Sequence, residues 1–209
     1  VPVDVTKGRA KVVTDAIRIL KEETSEVPIV GNLTGPISTS SSLMEPVIFY
    51  KELRKKNKEA HAYMEFVTDQ LIAFGKAQIE AGADVIAISD PSGTGEILGP
   101  KYFKEFAVTY LNKLLDGLQT AGLGTIVHIC GHMGSVYNEI NEVKSSALSF
   151  DSVVPMKEAR AHLHDRVLMG NVSTYTLEFG EPERVAVLTK NCVKNGSDII
   201  LSLIHISEP

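Results

Sequence analysis

The sequence has little cysteine: Cys130 and Cys192 are the two in 209 residues. A disulfide framework is therefore not expected, and a cytoplasmic compartment fits. No apolar run approaches the ~20 residues of a membrane span, so no membrane partner is expected. The opening stretch VPVDVTKGRAK has no apolar h-region, so no signal peptide is read there; it also lacks an initiator Met, so the chain is expected to begin within a longer protein. Basic excess is missing too. The sequence holds 21 Lys and Arg against 26 Asp and Glu, a net charge of −5, which offers no global field to nucleic acid or an anionic membrane. The densest basic run, KELRKKNKEA (51–60), is interleaved with Glu52 and Glu59 and reads as a solvated helix face.

What is present suits one sizeable soluble domain, with 44% hydrophobic and 22% charged residues. Short apolar runs at 27–33, 83–89, 124–130, 147–150, 166–172 and 197–203 read as strands buried on both faces, because they are apolar at consecutive positions. Helical stripes lie between them. Phe103, Phe106, Tyr110, Leu114 and Leu118 mark a helix over 101–118; Tyr63, Phe66, Val67, Leu71 and Phe74 mark one over 59–81; Val185, Leu188 and Cys192 mark one over 182–195, opened by Pro182. Gly82, Gly122 and Gly196 each stand between a helix and the next strand, where a C′ residue needs positive φ. This βα alternation predicts an all-parallel α/β sheet, and spacing alone leaves a (β/α)8 barrel and an open doubly wound sheet both in play. No GxGxxG follows a first strand, which disfavours dinucleotide binding.

Polar residues gather at the predicted strand ends: Asn32 and Thr34, Ser89 and Asp90, His128 and Cys130, Asp151, Asn171. In parallel α/β folds this rim carries the chemistry. His128 and Cys130, two apart on a strand, share one face with Cα atoms about 6–7 Å apart. Imidazole nitrogen and thiolate are zinc ligands, but two donors alone are weak evidence, and on spacing alone a core histidine and cysteine are favoured over a metal pair. His132 shares their parity, although Gly131 is expected to end the strand first. Cys192 reads as core. The loop DPSGTGEILGP (90–100) lacks the GK[ST] ending of a phosphate loop; Asp90 and Glu96 facing a cavity and a purely structural turn are equally compatible with it. His61, His162 and His164 sit in polar helical contexts and read as surface residues.

In order along the chain, GNLTGPIS, ADVIAISDPSGTGEILGPKYFKEFAVTYLNKLLD, TIVHICG, ALSFD, VLMGNVST and EFGEPERVAVLTKNCVKNGSDII resemble the uroporphyrinogen decarboxylase superfamily. Within it they are most similar to the methylcobamide:coenzyme M methyltransferases. The resemblance implies an incomplete TIM (β/α)8 barrel of about six of eight βα units, the first two strands missing, in a domain spanning 1–200. It implies a zinc enzyme that moves a methyl group from a corrinoid carried by a partner protein to a small thiol. His128 and Cys130 match the first two zinc ligands. Asp90 and Glu96 become candidate catalytic residues, and Asn32, Asp90 and Asn171 candidate substrate-binding residues. The third ligand, a later Cys, aligns with Ile204, so it is missing from this chain, and His205 is not read as its replacement. Residues 201–209, LSLIHISEP, read as a non-native tail whose back-translation resembles a sequencing-adapter end. The alternative activity is decarboxylation of uroporphyrinogen in porphyrin biosynthesis, against which the His-x-Cys pair argues. A third outcome is an inactive, broken barrel with exposed sheet edges.

Overall fold

The computed structural model describes residues 2–118 and 123–199. Helix α1 (Gly8–Glu23) leads into strand β1 (Val30–Thr34), then α2 (Pro36–Leu43), α3 (Pro46–Lys55) and α4 (Asn57–Glu80). Strand β2 (Val85–Ser89) is followed by α5 (Gly95–Tyr102), a π-helical stretch (Phe103–Val108) and α6 (Thr109–Leu118). Strand β3 (Gly124–Ile129), α7 (Tyr137–Ile140), β4 (Ala147–Phe150), α8 (Met156–His162), β5 (Val167–Met169), α9 (Thr174–Phe179) and α10 (Pro182–Lys194) complete the order.

All neighbouring strands pair parallel, and the spatial order β1-β2-β3-β4-β5 repeats the chain order. That order decides between the two architectures left open by spacing. A doubly wound sheet reverses its strand order at a switch point; this one never reverses, so right-handed crossovers put every helix on the same face. The sheet is an arc of a (β/α)8 barrel. Among the described residues it has five strands rather than six. Of the expected strand 197–203, Ile199 forms a single parallel bridge with Met169, and residues 200–203 lie outside the described part.

Register shows the two faces. Leu33, Ile88, Val127, Leu148 and Leu168 are aligned across the five strands and are at most 2% exposed beneath the helices. Each contributes on the order of 2 kcal/mol by leaving water. The opposite parity looks into the barrel: Asn32, Ala87, Ile126, Ala147 and Val167 form one row, and Thr34, Ser89, His128, Ser149 and Met169 the row above it. At β1 this inner side is open, and the strand alternates exposed and buried.

Helix ends follow the expected punctuation. Gly82 and Gly196 have φ of +111° and +105°; Gly122 lies outside the described residues. Two residues on, the same device recurs. Asp84 donates its amide to the Ile29 carbonyl and accepts the Ile29 amide on Oδ2, at 2.8 Å each. Asp198 treats Leu168 identically, at 2.9 and 2.8 Å. Each aspartate thereby stitches its incoming chain to the preceding strand.

The expected helix over 101–118 is not one regular helix. Its stripe is buried throughout, but just ahead of it Gly99 kinks α5 with φ +69°, Pro100 brings no amide N–H, and the backbone widens into the π-helical stretch before α6 resumes. In α4 the buried line runs through Ala60, Met64, Val67 and Gln78, while Phe66 is exposed. The basic run is solvated as expected, but it is split between α3 and α4 at Lys56.

Candidate metal and substrate site

Strand β3 delivers His128 and Cys130 to the inner face at its C-terminal end. The Cys130 Sγ lies 3.3 Å from His128 Nε2. In a tetrahedral zinc centre with ordinary bond lengths, nitrogen and sulfur sit about 3.6 Å apart. The pair therefore fits two positions of such a centre with little movement. Among the described residues, no group of three or more His, Cys, Asp or Glu side chains is placed to hold an ion. Ile204, aligned with the third ligand, and its neighbour His205 lie outside them.

Burial controls the protonation of the pair. Desolvation pushes the His128 imidazole down to about 4, against the opposing pull of Asp151. Burial pushes the Cys130 thiol up to about 11, with the Asp151 and Asp90 charges adding to it. Near neutral pH the two groups are imidazole and thiol, so an ion arriving there displaces the thiol proton.

Gly131 ends the strand with φ +75°. Its amide donates to Asp151 Oδ2 at 3.2 Å, and the next amide, of His132, donates to Glu96 Oε2 at 3.2 Å. The turn leaves the His132 side chain exposed and brings Glu96 and Asp151 to the two sides of the β3 terminus. Burial raises the Asp151 carboxyl, but the Gly131 and Val153 amides and the Ser152 hydroxyl outweigh it and hold the group below the usual range.

Asp90 is elsewhere. It points to the helix side of the sheet, fully buried, and its carboxylate accepts the amides of Ile37 (3.1 Å) and Ser38 (2.7 Å) and the Ser38 hydroxyl (2.6 Å). Burial still raises its pKa above 3.8, outweighing these donors. Of the two placements left open for Asp90, the contacts are those of a structural turn: one step beyond Ser89, its side chain leaves by the outer face, where the α2 amides take it. The loop that follows is likewise structural in its middle. The Ser92 amide donates to Ser38 Oγ, and Thr94 Oγ1 accepts the Ile97 amide as the N-cap of α5.

Asn171 is engaged as well. Its Nδ2 donates to the Asp151 and Val154 carbonyls at 2.8 and 2.6 Å, while Cys192 Sγ accepts its amide and donates to its Oδ1, both at 3.1 Å. Cys192 is core, as expected. Both line a cavity of about 330 Å³ with Ser152, Met156, Asn191 and Asn195. Asn32 sits inside β1, not after it; its side chain is exposed on the inner face, and its backbone N–H and C=O are both taken by the buried Gln78 amide at 3.0 Å.

Of the residues near the pair, Asp151 is expected at the rim from the sequence, whereas Ser149 is not. Ser149 Oγ lies 3.1 Å from His128 Nδ1. ALSFD gave no signal for it, because the pairing depends on register between strands. Among the other histidines, His162 and His164 are exposed. His61 is not a plain surface residue: it stacks on Phe106 with centroids 4.5 Å apart and meets the Tyr110 hydroxyl at 2.8 Å.

Comparison with known proteins agrees with the fold. The family model for uroporphyrinogen decarboxylase (URO-D) matches residues 1–206. A methylcobamide:CoM methyltransferase, MtbA, of Methanosarcina acetivorans is 29% identical over 196 residues, covering 93% of this chain and 58% of that protein. The corresponding MtaA of Methanosarcina barkeri is 30% identical over 205 residues, covering 96% and 60%. A solved structure described as a methyltransferase from Methanosarcina mazei superimposes with a TM-score of 0.87 at 30% identity, covering 94% of this chain and 58% of that one. The chain thus spans a little under two thirds of the length of these relatives.

Proposed function

Because the chain belongs to the uroporphyrinogen decarboxylase family, we propose that it is part of a zinc-dependent methyltransferase that moves a methyl group from a methyl-corrinoid protein to a thiol such as coenzyme M. The observation that carries this reading is the 3.3 Å approach of His128 Nε2 and Cys130 Sγ at the inner C-terminal end of β3. The names of the relatives, methylcobamide:CoM methyltransferases, support it. His128 and Cys130 would hold the ion, together with a third donor from outside the described residues. Bound there, zinc would lower the pKa of the acceptor thiol, and a thiolate is the nucleophile that a thiol is not. The thiol proton would go to solvent, and the sulfur–methyl bond would form as the cobalt–carbon bond breaks, the bonding pair staying with the partner's corrinoid.

The residues of the chain itself prepare this. His128 is neutral near pH 7 and so offers a lone pair. The Gly131 turn, tied by Asp151 and facing Glu96, closes the end of β3. Asn171 and Asp90 fix the flanking loops; their contacts support a role in building the rim. The one-carbon chemistry and cytoplasmic setting belong to the same reading. No described helix is long and apolar enough to cross a membrane.

Zinc binding and methyl transfer from methylcobalamin to coenzyme M, measured side by side, test the proposal. In the longer protein that supplies the third ligand, His128→Ala and Cys130→Ala should each weaken zinc binding and remove the transfer; the 209-residue chain, which lacks that ligand, should be inactive. Zinc binding indifferent to both changes would sink it. The second reading, decarboxylation of uroporphyrinogen, is favoured by the description of the matching family; that activity, unchanged in Cys130→Ala, would replace the first.

A further inference from the structure

His128 and Ser149 are Cα partners across β3 and β4, so their side chains leave the sheet on the same face at the same height. The Ser149 hydroxyl lies 3.1 Å from His128 Nδ1. The residues are 7% and 2% exposed, so bulk water competes little for that nitrogen. The other ring nitrogen, Nε2, is the one beside Cys130 Sγ. An imidazole held at one nitrogen has its second nitrogen aimed, and whichever nitrogen carries the proton denies it to a metal.

A metal-binding histidine commonly gives its remaining N–H to a carboxylate, a backbone carbonyl or water. The nearby carboxylate, Asp151, is turned to backbone instead: Oδ2 accepts the Gly131 amide and Oδ1 the Val153 amide. That leaves Ser149 as the partner of Nδ1. A hydroxyl accepts the ring proton without placing another negative charge beside a sulfur that must itself become anionic to bind a metal.

We propose that Ser149 is the positioning residue of this site: its hydroxyl accepts Nδ1–H, fixes the tautomer and the ring plane of His128, and so directs the Nε2 lone pair to the space beside Cys130 Sγ. The purpose of this arrangement rests on the zinc reading above, but the hydrogen bond exists without the metal and is testable without it.

The test is ¹⁵N NMR of the histidine rings in the full 209-residue chain, metal-free and near neutral pH. His128 should show one tautomer, protonated at Nδ1 and bare at Nε2. Ser149→Ala should collapse this to averaged signals, and Ser149→Thr, which keeps the hydroxyl, should restore it. In zinc titrations of the longer protein against a competing chelator, Ser149→Ala should bind about 10- to 100-fold more weakly, with Ser149→Thr near the original. A native ring protonated at Nε2 overturns the proposal, as does a tautomer indifferent to Ser149→Ala, or equal loss of zinc affinity in both variants. If Ser149→Ala fails to fold, the native tautomer alone decides between support and refutation. A tautomer that behaves as stated, while zinc leaves the His128 signals of the longer protein unmoved, supports the positioning role and sinks the zinc reading alone.

Discussion

Asp90 closes onto Ser38: one carboxylate oxygen accepts both the Ser38 amide, at 2.7 Å, and the Ser38 hydroxyl, at 2.6 Å. With the Ile37 amide on the other oxygen, the side chain satisfies the first turn of α2 from inside the protein. Asp90→Ala strands these donors in a buried place and should destabilise the fold by about 3 kcal/mol. Ser38→Ala, which removes one donor, should cost about 1 to 2 kcal/mol. Urea unfolding of the two variants checks this. An Asp90→Ala chain as stable as the original would return Asp90 to the cavity.

Asp84 supplies a pH dependence with a definite sign. The Ile29 amide and then Lys21 hold its carboxyl below 3.8. A group with a depressed folded-state pKa contributes stability above its unfolded value, and that contribution is lost as pH falls through the folded one. Asp84→Asn should therefore lower the urea midpoint by a constant amount from neutral pH down to about pH 5. The gap should narrow below 3.8. A gap that widens on acidification contradicts the assignment.

Gly131 should resist substitution. Its φ of +75° is strained for any residue with a Cβ, and that atom would also stand 2.6 Å from Glu96 Oε2. Gly131→Ala should cost about 1 kcal/mol in stability. It should also displace the Glu96 carboxylate from the His132 amide, visible as a shift of that amide in an ¹H–¹⁵N spectrum.

Asn171 faces two carbonyls with its donor end. Asn171→Asp is nearly isosteric but turns an acceptor toward them, so it should destabilise at least as much as Asn171→Ala, on the order of 1 to 2 kcal/mol. Thermal melts compare the two. A well-tolerated aspartate would mean that this amide does not hold the loop after β4.

Much of the frame is legible in the sequence because it is local. Apolar runs locate five strands to within a few residues, and glycines at positions 82 and 196 mark helix ends, since positive φ is a property of a single residue. His128 and Cys130 share a face because alternation along a strand requires it. For Asp90 and Glu96, by contrast, the sequence leaves a cavity-facing loop and a structural turn equally open, and the fold treats the two differently: Glu96 sits over the β3 terminus while Asp90 passes through to α2. Phe66 looks buried on helical period alone, but the helices packed on α4 cover a neighbouring line of residues.

The sequence by itself determined that this is a parallel α/β protein of one family, with a histidine and a cysteine side by side at a strand end. Spacing alone left barrel and doubly wound sheet open; the family resemblance implied the barrel, and the spatial strand order bears it out, because the choice turns on that order. Only the tertiary structure decided which residues serve the pair. Ser149 meets His128 across 21 residues and Asp90 meets Ser38 across 52. Such partners are set by register between strands and by the route of each crossover, which no local pattern encodes.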